Sequence, residues 1–76
     1  MNNERRKAIA AIGQRIADIN AELEAIRDEE QEYFDNMLED IQMSEKGDRA
    51  EEVIGVLEEA VDGLEEVLSS LEEAQA

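Results

Sequence analysis

The sequence predicts an all-α fold, an antiparallel helical hairpin that self-associates into a four-helix bundle or a higher oligomer. Three observations carry that expectation. A heptad stripe runs through the first half of the chain, a seven-residue repeat fills the second half, and there is no proline and only one tyrosine and one phenylalanine. Strands facing a core alternate apolar and polar residues with period two, and no stretch here does so.

In the first half, apolar residues recur at alternating steps of three and four: Ile9, Ile12, Ile16, Ile19, Leu23, Ile26, then Tyr33 and Met37. With Ile9 as position a of the heptad, the a column is Ile9, Ile16, Leu23, Glu30 and Met37. The d column is Ile12, Ile19, Ile26 and Tyr33. A seam held over four heptads marks a helix packed lengthwise on another, and it predicts a helix over about residues 3–37. Glu30 alone breaks it. A carboxylate at a core position is costly unless it reaches water or a partner, so Glu30 either snorkels near the tip or fixes register across an oligomer.

The second half reads as four heptads, GDRAEEV, IGVLEEA, VDGLEEV and LSSLEEA, from Gly47 to Ala74. Most units set an apolar residue first, a leucine fourth and Ala or Val seventh, which predicts a helix over about residues 46–74. Its apolar face is three columns wide, and a two-stranded seam uses two. The surplus column, Ile54, Val61 and Leu68, with Val56 and Gly63 on its flank, is expected to face another copy. Gly13, Gly55 and Gly63 lie inside helices, where glycine costs about 1 kcal/mol relative to alanine. They suggest close approach of a second backbone.

Residues 38–45 form the expected tip, with Leu38, Ile41, Met43 and Phe34 folded into an apolar plug and Ser44 capping the second helix. Ser is a favoured N-cap because its hydroxyl accepts from a free N–H of the first turn. Antiparallel pairing sets Ile12 against Leu71, Ile16 against Val67, Ile26 against Leu57 and Tyr33 against Ala50. The same register brings Arg5, Arg6 and Lys7 beside Glu72 and Glu73.

At 76 residues the chain is read as one domain, 1–76, with a marginal core of its own. Without cysteine or histidine it has neither disulfides nor the usual zinc ligands, so assembly is the expected source of stability, as a homodimer or homotetramer. No apolar run reaches the ~20 residues of a membrane span, and the short run after Lys7 ends too early for a signal peptide. A cytoplasmic protein is expected.

The formal charge is −15 and unevenly spread. Residues 1–27 carry five bases and four acids, whereas residues 28–76 carry two bases and eighteen acids. Such a surface repels nucleic acid and anionic membranes, so direct binding to either is not expected. Ser44, Ser69 and Ser70 have no histidine to activate them, and there is no glycine-rich phosphate loop. The chain reads as non-enzymatic, with no cofactor. Asp28, Glu32 and Asp35 share a helical face, but no calcium-loop motif accompanies them and no metal is expected.

Arg5, Arg6 and Lys7 form the one basic cluster. If copies pack head to tail, this cluster meets a neighbour's tip, near Tyr33, Lys46 and Arg49. Cations there, together with free N–H groups of a helix start, would make an anion site.

The run from Asp28 to Met37, with Gln42, Ser44-Glu45-Lys46-Gly47, the Leu-Glu-Glu-Ala heptads and the Glu4-Arg5-Arg6 opening, resembles a family of small acidic proteins of tailed-phage and prophage genomes. Leu38 departs from that family, where proline is usual, and a more helical start to the tip is expected from it. The resemblance implies a phage origin and assigns no activity and no site residues. In an infected bacterium, a small non-enzymatic oligomer fits interference with host defence. The expected mechanism is sequestration of a small anionic, nucleotide-type signal. One alternative is an acidic decoy or inhibitor that binds a host protein such as a nucleic-acid-binding effector. Another is an assembly helper that docks a protein partner.

Overall fold

The computed structural model describes residues 1–76. Two long helices, α1 (Asn3–Asp35) and α3 (Glu45–Gln75), run antiparallel and are joined by a tip that holds one short helix, α2 (Glu39–Gln42). The hairpin is 58 Å long and only 14 × 12 Å across. There are no strands, as the heptad patterns require.

Asn2 caps α1, its Oδ1 accepting from the Arg5 N–H at 2.8 Å, and Glu4 in the first turn suits the positive end of the helix dipole. Ser44 stands at the N-cap position of α3, but its hydroxyl donates back to the Ile41 carbonyl and caps nothing. Its backbone carbonyl accepts from the Asp48 N–H at 2.9 Å, opening the ladder of α3.

The tip differs from the expected plug. Ile41 and Phe34 are half-buried, while Leu38 and Met43 point to solvent, at 70% and 79% exposure. A four-residue helix has one inward face, and Ile41 takes it. Leu38 is extended, at φ −61° and ψ 149°, so its start of the tip is not more helical; its φ is one proline would also adopt. The tip is tied down through Gln42, whose Nε2 donates to the Phe34 carbonyl at 2.9 Å. Gly47, in the first turn of α3, is buried against Gln42, where a Cβ would overlap the Gln42 backbone.

The larger correction is rotational. The inward residues of α1 are chiefly Ile9, Ile16, Leu23 and Glu30 of the expected a column, together with Gly13, Asn20, Arg27 and Phe34, the e column; Ala17 and Glu24 are also half-buried, and Met37, the last of the a column, is half-buried just beyond the helix. The d column, Ile12, Ile19, Ile26 and Tyr33, is left about half-exposed. On α3 the inward columns are Gly47, Ala50, Ile54, Leu57, Val61, Leu64, Leu68 and Leu71. Ile54 and Val61, expected to face another copy, are therefore among the most buried side chains, at 7% and 3% exposure, and Leu68 is half-buried with them. The pairing shifts with the rotation. Leu71 Cδ1 lies 3.9 Å from where a Cβ at Gly13 would stand, one residue from its expected partner Ile12. Phe34 is the ring turned inward near the tip, and Tyr33 is turned out. The physical reason is that each helix has apolar columns spanning more than one contact, and a hairpin can bury only part of that arc.

Gly55 and Gly63 have no atom within 4 Å of an added Cβ, so within the chain no second backbone approaches them. Gly55→Ala is expected to raise stability by about 1 kcal/mol through helix propensity alone. A urea titration followed by helical circular dichroism checks this; a loss of stability would mean that something outside the chain packs on Gly55.

Candidate functional site

The residues expected to bind an anion fall into two groups at opposite ends of the hairpin. Arg5, Arg6 and Lys7 lie in the first turns of α1, all exposed. The expected pairs with Glu72 and Glu73 do not form, since the only ion pairs are Arg27–Asp28 at 3.1 Å and Arg49–Glu52 at 3.2 Å. Water offsets most of what an exposed pair would gain, so nothing draws these long side chains across to α3. The Arg5 N–H is already used by Asn2, which leaves the side chains as the main donors of the cluster.

At the tip, Lys46 Nζ stands 5.7 Å from the centre of the Tyr33 ring, within cation–π range. Arg49 is one turn further along α3, its guanidinium held by Glu52. A shallow apolar hollow of about 270 Å³ opens there, lined by Arg49, Val53, Val56 and Leu57. The tip thus carries an aromatic ring and two cations, and the hollow begins at Arg49 and runs along α3; Tyr33 and Lys46 do not line it. The two groups never meet within one chain, because the length of the helices separates them.

A second cleft of about 320 Å³ lies between the start of α1 and the end of α3, floored by Ala10, Gly13, Ala17, Leu68 and Leu71 and edged by Gln14, Glu72 and Gln75. It has no cation, and Glu72 would repel an anion. It is a packing gap left by small residues facing leucines.

Arg27, which sequence reasoning did not single out, is half-buried and pairs with its neighbour Asp28 on the same helix. Its hydrogen bond to Asp28 raises its pKa first, and the charges of Asp28, Glu24 and Glu58 add to that. Glu30 is half-buried and joins no ion pair. No group of three acidic side chains lies close enough to hold a metal ion, and Asp28 is occupied by Arg27. No helix is long and apolar enough to cross a membrane.

Asn20 also escaped the heptad reading. It is 6% exposed, and its Oδ1 accepts no hydrogen bond. The sole signal was its place in the column Gly13, Asn20, Arg27 and Phe34, whose mixed polarity hides it.

Compared with protein-family models, curated proteins and solved structures, the chain matches none. Its function must be read from its own residues.

Proposed function

We propose that this chain is a non-enzymatic, homo-oligomeric binding protein that sequesters a small anionic ligand of the nucleotide class. One observation carries the reading. In a chain with 22 acids and seven bases, three bases stand together at one end without a carboxylate partner, and a Lys46–Tyr33 stack with Arg49 stands at the other. Cations supply charge-assisted hydrogen bonds to phosphate. An aromatic face and an apolar hollow suit a base or a ribose. The surrounding acid repels polyanions, so a small ligand fits the site better than a nucleic acid. With the resemblance to phage proteins, removal of such a signal would blunt a host defence in the cytoplasm of an infected bacterium.

Isothermal titration with ATP and with a cyclic dinucleotide tests the reading, beside native mass spectrometry of protein purified from defence-active cells. Wild-type protein is expected to bind at least one of them or to retain a mass of a few hundred daltons. An Arg5→Ala/Arg6→Ala variant is expected to lose about 10–100-fold in affinity, the worth of one or two hydrogen bonds to charged groups. Wild-type protein that binds neither probe and carries no retained mass would sink the proposal.

A second reading, an acidic decoy for a host nucleic-acid-binding protein, is favoured by the exposure of Glu51, Glu52, Glu58, Glu59, Glu65, Glu66, Glu72 and Glu73 along α3. Their heptad spacing of about 10.5 Å is much sparser than the phosphates of a duplex. Steeply salt-dependent binding to a basic protein, indifferent to Arg5 and Arg6, would favour the decoy.

A further inference from the structure

We infer that the hairpin docks face to face on a second copy of itself, head to tail, through Ile12, Ile19, Ile26 and Tyr33 of α1 and Val56 and Val67 of α3, completing a four-helix bundle. This rests on the apolar surface and the charge pattern; it deepens the homo-oligomeric part of the reading above and not its ligand, since Tyr33 and Val56, offered there to a base or a ribose, are here covered by the second copy.

The geometry starts from the rotation of the helices. Successive residues turn about 100° around a helix. The d column of α1 therefore stands roughly 80° from the middle of its contact with α3, and the column Val53, Ala60 and Val67 stands roughly 90° around α3 from its contact with α1. Lys46 precedes Val53 by one heptad, and Lys46 lies over Tyr33. The two columns consequently flank the same side of the hairpin and form one broad face. A right angle between the two contacts of a helix is what a square bundle of four requires. The stripe that is too wide for a hairpin is the right width for a helix with two neighbours.

Surface area points to the same occupant. The chain exposes 5711 Å², whereas a folded monomer of its 8.6 kDa mass would expose about 4,700 Å². The excess of about 1,000 Å² is close to the ~800 Å² that each partner buries in a standard interface. Ile12, Ile19, Ile26, Tyr33, Val56 and Val67, each 42–58% exposed, supply the apolar part of it.

Charge selects the direction. Residues 28–52, the tip end, hold eleven acids and two bases, while residues 1–15 and 62–76, the other end, hold six acids and four bases. Tip-to-tip docking would set the two most acidic regions together. Head-to-tail docking sets each acidic tip against Arg5, Arg6 and Lys7 of the second copy. Arg5 lies one heptad before Ile12, so it extends the apolar column toward that contact. Antiparallel stacking of the two α1 helices can then place Ile19 on Ile26 of the second copy and Ile12 on its Tyr33.

The test uses the full chain, which has no cysteine of its own. Sedimentation equilibrium is expected to give twice the chain mass, and Ile19→Glu/Ile26→Glu to give the monomer mass. So that a loss of helix in the separated hairpin cannot mimic the result, direction and face are read independently by disulfide trapping. Ile12→Cys and Tyr33→Cys variants, mixed and oxidised, are expected to form the mixed dimer, with little of either variant linked to itself. A wild-type monomer, or self-linking of Ile12→Cys as efficient as mixed linking, would overturn the proposal.

Discussion

Replacing Gly47 with alanine is expected to destabilise the protein by about 3 kcal/mol, in the range of overpacking and backbone-strain substitutions. The sign is the informative part, because helix propensity alone would make the same change stabilising by about 1 kcal/mol. Gly47 is buried, and an added Cβ would meet the carbonyl oxygen, carbonyl carbon and Cα of Gln42. These are backbone atoms, so no rotamer change can relieve the overlap. Gln42 cannot retreat freely either. Its N–H donates to the Leu38 carbonyl at 2.9 Å, and its side chain donates to the Phe34 carbonyl at 2.9 Å. Relief must come from unseating α2 or from unwinding the first turn of α3. A urea titration of Gly47→Ala beside Gly55→Ala, at one fixed protein concentration so that any association counts equally in both, should move the midpoints in opposite directions. Equal, stabilising shifts in both would show that α2 is not seated on α3.

Much of the fold was legible because two periodicities agree. The isoleucine stripe of the first half and the Leu-Glu-Glu repeat of the second both demand long helices, and a chain without proline has little to stop them. The hairpin itself followed from the interruption between Met37 and Ser44. The rotation of the helices was not legible. A heptad stripe says which arc of a helix is apolar, but it does not say which edge of that arc the nearer neighbour takes. Ile54 and Val61 read equally well as hairpin core or as oligomer face, and so do Ile12 and Ile19. The choice depends on packing details such as Gly13 and Ala50, whose small size lets the helices close on the a and e side.

The candidate site was less legible for a different reason. Arg5, Arg6 and Lys7 stand out by charge alone, and Tyr33 by being one of two rings. What the sequence could not show is that Lys46 reaches the Tyr33 ring or that Arg49 borders an apolar hollow, because both depend on where α2 sets the start of α3. At the termini, the expected pairing of cations with Glu72 and Glu73 followed from register. Register brings helices together, but exposed side chains in water are not bound by it.

Asn20→Leu is expected to stabilise the protein by about 2 kcal/mol. A buried acceptor left without a donor costs about 1–3 kcal/mol, and a leucine there would add apolar burial worth a similar amount, less the strain of fitting its branched end. Asn20→Asp should do the reverse, by about 3 kcal/mol, because it places an unpaired charge where water is excluded. The reason to keep a costly polar group is register. The repeat of α3 presents nearly the same leucines every seven residues, so a purely apolar α1 could slide by a heptad with little loss. A single polar residue in a core column penalises most such alternatives. Asn20 lies in the column turned toward α3, so the register it specifies is that of the two helices of one hairpin. Asn20→Leu should therefore raise the urea midpoint and leave the disulfide trapping at Ile12 and Tyr33 unchanged. A variant less stable than wild type would mean that the Asn20 amide is satisfied in solution through a bridging water, and that those hydrogen bonds outweigh the apolar burial a leucine supplies.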